Sequence, residues 1–576
     1  MFPKKIPGTL AVITALATTC AGLLGTAPSA RAAEATPLAQ AQAALANPTI
    51  TWTSCEGRLP VEMPPFTTVQ CGDLVVPLDY SDLSLGTLTL PVSKRPATDP
   101  SHRIGSLFTN PGGPAEPATL RAPLLAELLG PEVGARFDIL GVAPRGIEGE
   151  ELALCPLGTE GLPPVSFRVF PMTPTEISER FALDTAITTA CSKGPRILRH
   201  MGTADVARDM DQARRAVGDD RLSYFGTSYG TFLGATYASL FPGRIRAMVL
   251  DSVIDPVAWA TGRGSIQPSK QPVAERMYAG EASKEALASA IAECEKAGPA
   301  VCPPAATIRH DWADLKMMLR MQPYRLVDGT ELHFDELINN VVNILYSPSD
   351  IPMMLQLIHQ LDVDLNSPGT KPVTDSTQDP VMAGTTLSVG YVKKLNELGA
   401  QARTALHGSD LRLDEATKTP APKAAEENFV ASVGFNAVMC SETAGPTTPQ
   451  GYLDADDRAW GNASGFGQIW LWQQSVCAKW PVKASNAYAG PFTQPTSTPV
   501  LMMSNEHDPA TPLIGAQKYH RILPGSRLVT VRNGFGHGVV GSSTCADRAR
   551  TSYLLTGRAP WSDQYCTPDK PLFGAA

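Results

Sequence analysis

Among eleven cysteines no two stand as C-x-x-C, so a zinc ribbon or a thioredoxin-like redox site has no sequence basis, and no metal is expected. Long apolar runs are also missing. The stretch from about Leu10 to Leu24 is interrupted by Thr and Gly. It falls short of the roughly 20 residues that cross a bilayer, so stable membrane insertion is not expected. Nor is there an excess of positive charge. The chain has 48 Lys and Arg against 56 Asp and Glu, a formal net charge of -8. Binding a phosphate backbone requires a basic surface, so nucleic acid is not an expected partner. No internal repeat is visible, which excludes a solenoid. What remains is ordinary globular composition, 43% hydrophobic over 576 residues. That is enough for a sizeable core in a chain too long for one simple domain. Nothing in the sequence sets the oligomeric state, and a monomer is the expectation.

Residues 1–32 read as an export signal. Lys4 and Lys5 precede the apolar stretch, and Ala30-Arg31-Ala32 offers a small-x-small cleavage site near Ala32. The mature chain is expected to be secreted. Cleavage removes Cys20 and leaves Cys55, Cys71, Cys155, Cys191, Cys294, Cys302, Cys440, Cys477, Cys545 and Cys566. An even number in an exported chain reads as disulfides. Pairing of sequence neighbours is expected (55 with 71, 155 with 191, 294 with 302, 440 with 477, 545 with 566), although sequence alone leaves connectivity open.

Leu74 to Leu78 and Leu88 to Val92 predict an opening antiparallel pair. Short apolar runs follow at Ser106 to Asn110 and Phe137 to Val142. Thr203 to Val217 reads as a helix and Leu222 to Phe225 as a strand. A further helix runs to Phe241, and Ile245 to Leu250 is again a strand. Strand–helix–strand alternation predicts a mostly parallel sheet covered on both faces. After about residue 256 the pattern turns helical, and strands resume at Pro499 to Met503 and Arg527 to Val531. The expected division is 33–256 and 431–576 for a sheet domain, with 257–430 a mainly helical insertion over it.

Gly226-Thr227-Ser228-Tyr229-Gly230 matches the G-x-S-x-G nucleophile elbow, with a strand before and a helix after, as that turn requires. Serine needs a base, and in the α/β-hydrolase fold the order is Ser, then acid, then His. His537, in Gly534-Phe535-Gly536-His537-Gly538, stands just past the last predicted strand and is the candidate base. His520 falls in a predicted helix and is set aside. In the loop from Asn505 to Pro512, Asp508 is the candidate acid, Glu506 a solvated loop charge and His507 a packing or surface residue. The amide of Tyr229 faces developing negative charge at a helix N-terminus. The second oxyanion donor is expected from Asn110-Pro111-Gly112-Gly113-Pro114, through Gly113 or Gly112.

These motifs, with Phe137 to Gly146 (F-D-I-L-G-V-A-P-R-G), His507 to Pro512 and the paired cysteines, together resemble the exported tripeptidyl aminopeptidases of actinobacteria, relatives of the proline iminopeptidases. The resemblance covers most of the mature chain. It implies an α/β-hydrolase core under a helical cap, no cofactor, and release of short peptides, often tripeptides, from a free N-terminus. Such an enzyme must hold a substrate ammonium, a task for carboxylates; Glu442 and Glu116 are the candidates. The chain departs from the family's pattern at Ala115-Glu116-Pro117, at Ala143 where the family has Asp, and at Ile147-Glu148-Gly149-Glu150-Glu151. The departures predict an altered pocket floor and rim, and less support at the corner around Ala143. They keep two other readings open: a carboxylesterase or amidase acting on small esters or amides, and an exported binding protein without chemistry.

Overall fold

The computed structural model describes residues 35–62, 66–158, 168–264, 267–325, 331–366, 372–373, 381–383, 386–407 and 429–574. The export signal expected at 1–32 lies outside them. Ten strands form one sheet: β1 (Ile50–Thr53), β2 (Gln70–Pro77), β3 (Thr87–Arg95), β4 (Gly105–Asn110), β5 (Phe137–Val142), β6 (Leu222–Thr227), β7 (Ile245–Asp251), β8 (Val500–His507), β9 (Arg527–Phe535) and β10 (Gln564–Cys566). Their order is β1-β2-β3-β5-β4-β6-β7-β8-β9-β10. β2 and β3 are the expected antiparallel pair, with Leu74 opposite Leu90. From β5 to β10 all neighbours are parallel. This is the expected α/β-hydrolase architecture.

The parallel strands are apolar because both faces are covered. All six residues of β4 are buried. Successive side chains of a strand point to opposite faces, and the two cores divide accordingly. Leu107, Ile139, Phe225, Val249 and Leu501 face one way; Phe108, Leu140, Tyr224, Met248 and Met502 face the other. The first face packs against α1 (Ala118–Leu129) through Ala122, Ala126 and Leu129. The second packs against α2 (Thr203–Ala216) and α3 (Tyr229–Leu240) through Val206, Met210, Phe232 and Leu233. Each fully buried large side chain of this kind contributes about 1.5–3 kcal/mol.

A separate core unites helices α4 (Ala279–Ala297), α5 (Ile308–Met321), α6 (Phe334–Leu345) and α7 (Ile351–Leu365). The helix Thr386–His407 joins this core through Val392, Leu395 and Leu398, whereas α8 (Gly434–Glu442) packs on the sheet side, with Val438, Met439 and Cys440 in the sheet's core. This helical layer does not end at the 430 expected from sequence. It also takes in α9 (Pro449–Ala463) and α10 (Phe466–Trp472), along with Phe170 from before the insertion. Trp472, fully buried, donates to Asp456 at 2.8 Å and locks α10 to α9.

The last two helices on the sheet are α11 (Leu513–Ile522) and α12 (Thr544–Thr556). The five disulfides join the expected neighbours, Cys55–Cys71, Cys155–Cys191, Cys294–Cys302, Cys440–Cys477 and Cys545–Cys566. No helix among the described residues is long and apolar enough to cross a membrane. The corner around Ala143 is well supported. Arg145 is buried there and bonds Asp209 at 2.7 Å and the Pro77 carbonyl at 2.8 Å. Removing one partner of such a pair costs about 3–5 kcal/mol.

Candidate active site

β4 and β6 lie side by side, with Asn110 opposite Gly226, and Thr227 stands opposite Asp251 of β7. The chain runs from β4 outward to β5 on one side, then returns to β6 on the other. Sites in such sheets form beyond the carboxyl ends of the strands at this reversal, and the loops after β4 and β6 meet there.

Ser228 sits between β6 and α3 with φ 57° and ψ -124°. Non-glycine residues rarely adopt such a conformation, which costs about 1–3 kcal/mol and persists only where the surroundings enforce it. Here they do. The Ser228 amide donates to the Asp251 carbonyl at 3.0 Å. The flanking glycines leave no room for a side chain: a Cβ on Gly226 would lie 2.4 Å from the Gly230 carbonyl, and one on Gly230 2.5 Å from that of Asn110.

The Asn110–Pro114 loop presses on this turn. A Cβ on Gly112 (φ 113°) would lie 2.8 Å from the Ser228 Cβ and 3.3 Å from the Tyr229 amide nitrogen. The Gly112 amide is already engaged, donating to the Asn110 side chain at 3.1 Å. Next in the loop, Ala115 holds φ 82°, a conformation that suits glycine. Its methyl group faces Gly434 at the start of α8, beside Ile147, so two of the departures from the family pattern meet at one spot. Glu116 is buried against Gly113, and its charge opposes the downward pull of burial on the Arg121 pKa.

Asp508 and His537 are brought together. His537 Nδ1 lies 2.9 and 3.0 Å from the two Asp508 oxygens, and both side chains are buried. Asp508 also accepts from the Ala510 and Thr511 amides, each at 2.9 Å. Burial pushes the Asp508 pKa up. The His537 charge and hydrogen bond, with the two amides, outweigh burial and hold it below the ordinary carboxylate range. An ionised carboxylate only accepts, so the His537 Nδ1 that faces it carries a proton. The neighbouring acid and histidines have other partners. Glu506 caps the Asn533 amide, His507 pairs with Glu285, and His520 bonds Ser526 and Asp563.

The histidine loop is fixed from three sides. Asn505, fully buried, donates to the carbonyls of Phe535, Gly536 and Gly538. Ser252 accepts from the Gly538 amide at 2.8 Å, and the Asp251 carboxylate accepts from Val539 and Val540. From the helical layer, the Tyr346 carbonyl accepts from the His537 amide at 3.1 Å, and the two rings meet edge to face at 4.8 Å. Sequence reasoning missed Asp251, Ser252, Asn505 and Tyr346. Asp251 had a signal, since an acid closes a strand that is apolar apart from Arg246. Tyr346 had none.

Glu442 is tied into the protein by both carboxylate oxygens. Its carboxylate accepts from the Thr203 amide and hydroxyl and from Trp259 Nε1.

A serine on a strained elbow at the carboxyl edge of a parallel sheet, with a buried acid–histidine pair whose loop is tied to the same residue, Asp251, as the elbow, defines a hydrolase of the α/β class. Comparison with known proteins agrees. Residues 182–290 match the family model described as alpha/beta hydrolase fold, and residues 462–566 the one described as TAP-like protein. The chain is 28% identical over 543 residues to serine protease Hip1 of Mycobacterium tuberculosis, covering 90% of this chain and 91% of that protein. It is 27% identical over 555 residues to the tripeptidyl aminopeptidase of Streptomyces lividans, covering 93% and 90%. To carboxylesterase B of Mycobacterium tuberculosis it is 26% identical over 543 residues, covering 90% of each. The chain is a serine hydrolase, and its resemblance to the tripeptidyl aminopeptidases holds over most of its length.

Two outcomes are expected. Gly112→Ala should lower kcat/KM about a hundredfold while the far-ultraviolet circular dichroism stays that of the parent. The second concerns pH. Burial raises the Asp251 pKa to about 6, against the pull of the Val539 amide and Arg550. As pH falls through that value the carboxyl gains a proton and one oxygen stops accepting from the histidine loop. The acid limb of the kcat/KM profile should therefore be steeper than one ionisation. In Asp251→Asn it should follow a single ionisation, at a lower plateau.

Proposed function

We propose that Ser228 is the nucleophile, His537 the general base and Asp508 the residue that orients and charges the histidine. The observation that carries this is the buried Asp508–His537 pair, with Nδ1 held by the carboxylate. Its loop is tied to the same residue, Asp251, that receives the Ser228 amide. In the first step the Ser228 Oγ bonds to the substrate carbonyl carbon while its proton passes to His537 Nε2. The imidazolium that forms is stabilised by ionised Asp508. The oxyanion is bound by the Tyr229 amide and by that of Gly113, since the Gly112 amide already serves Asn110. His537 returns the proton to the leaving group. It then takes one from water, whose oxygen bonds to the acyl carbon, and hands that proton to the Ser228 Oγ as the ester bond breaks, freeing the enzyme.

The substrate reading is a peptide with a free N-terminus, released as a short piece, with the tripeptide the preferred length. It rests on likeness over most of the chain to a tripeptidyl aminopeptidase and a serine protease. Of the two acids read as ammonium anchors, Glu442 has both oxygens engaged within the protein. Glu116, beside Gly113, remains the candidate. The second reading, an esterase or amidase for small substrates, is favoured by the likeness to carboxylesterase B. Five disulfides fit an exported protein in an oxidising compartment.

The test is hydrolysis of mono-, di- and tripeptidyl anilides, each with a free and a blocked N-terminus, beside short acyl esters. Turnover concentrated on free tripeptides is the expected result. Equal or faster turnover of blocked peptides or esters would move the second reading ahead.

A further inference from the structure

Glu442 is the last residue of α8, yet its bonds reach two other elements. Oε1 accepts from the Thr203 hydroxyl at 2.7 Å and from Trp259 Nε1 at 3.0 Å, and Oε2 from the Thr203 amide at 2.8 Å. Thr203 opens α2, whose cap position is Gly202 and brings no side chain. The first amides of a helix need acceptors and favour negative charge, and Glu442 supplies both from 239 residues away. The Thr203 hydroxyl has one proton. Given to the carboxylate, it leaves the Thr203 oxygen as the acceptor for the Tyr229 hydroxyl, which it touches. Tyr229 in turn packs on Trp259 with ring centroids 5.6 Å apart. One carboxylate thus holds the indole and, through Thr203, the phenol of a single buried cluster.

Tyr229 is also the residue directly after Ser228. We propose that Glu442 is a positioning residue: through Thr203 and Trp259 it fixes the Tyr229 side chain and so aims the Tyr229 amide at the oxyanion, and it does not bind a substrate ammonium. This rests on the reading of Ser228 as nucleophile. Glutamine at 442 has the same shape but turns a donor toward one of three donors, so it breaks the chain. Tyr229→Phe removes only the hydroxyl at its start.

The experiment compares Glu442→Gln, Tyr229→Phe, the double variant and Glu442→Asp on free and blocked peptidyl anilides and a short acyl ester. Active sites are titrated with a fluorophosphonate and unfolding midpoints recorded. Glu442→Gln should lower kcat per titrated site about tenfold on all three substrate types, with KM within twofold. Tyr229→Phe should fall in the same direction. The double variant should be no slower than Glu442→Gln, because both cut one chain. Glu442→Asp, still a carboxylate, should recover part of the rate. A KM rise confined to free N-termini would overturn the proposal in favour of an ammonium anchor. So would an unchanged kcat per titrated site in both single variants, with only the midpoint lowered, or a double variant slowed by the product of the two single effects. Failure of the parent protein to titrate would overturn the underlying reading, and the proposal with it.

Discussion

The site depends on Asp251. Its carbonyl accepts the Ser228 amide and holds the elbow in its strained turn; its carboxylate accepts the Val539 and Val540 amides and holds the histidine loop. Ser252, the next residue, repeats the pattern. Its hydroxyl accepts from Gly538, and its amide donates to Met503 on the strand that leads to Asp508. One strand end therefore ties the elbow beside it to a histidine loop 286 to 288 residues further along the chain and to the strand that leads to Asp508. The cost is a fully buried carboxylate, which the backbone amides and the charge of Arg550 offset. A rigid sheet edge suits this task better than loop-to-loop contacts, because parallel strands fix the height of each loop to a fraction of an ångström.

The helical layer completes the site from the other side. Tyr346 receives the His537 amide and lays its ring against the imidazole. Pro348 and the Tyr346 carbonyl crowd Gly536 so closely that a Cβ there would lie 2.7 Å from each. Ser283 of α4 donates to the Pro509 carbonyl at 2.6 Å, and Glu285 pairs with His507. Acid loop and base loop are thus each gripped between sheet and helical layer. An imidazole held on two sides has little rotational freedom left to lose. The layer is a wall of the site as well as a cover.

What was legible in the sequence was what short-range geometry controls. The elbow was readable because the strand, the two glycines and the helix that force Ser228 into its turn all lie within a few residues. The same holds for Asp508 ahead of Thr511-Pro512 and for His537 among its glycines. The five disulfides were readable because their partners are neighbours along the chain. Long-range pairing was not. Glu442 read as a pocket carboxylate because nothing near it in sequence shows that Thr203 and Trp259 take its lone pairs. The helical layer read as ending near 430, whereas α9 and α10 join it because Tyr452 of α9 and Phe466 and Trp472 of α10 find their apolar partners across the layer. The alanine at 143 read as a weakness because Arg145, two residues on, closes its ion pair with Asp209, 64 residues away.

The nucleophile proposed is Ser228, held by Asp251 and served by His537. The most direct measurement is to react the protein with a fluorophosphonate, digest it and locate the adduct by mass spectrometry. One adduct per chain is expected, on Ser228, absent in Ser228→Ala and formed far more slowly in Asp508→Asn, whose circular dichroism should match the parent. An adduct on another residue, or undiminished labelling of Ser228→Ala, would contradict it.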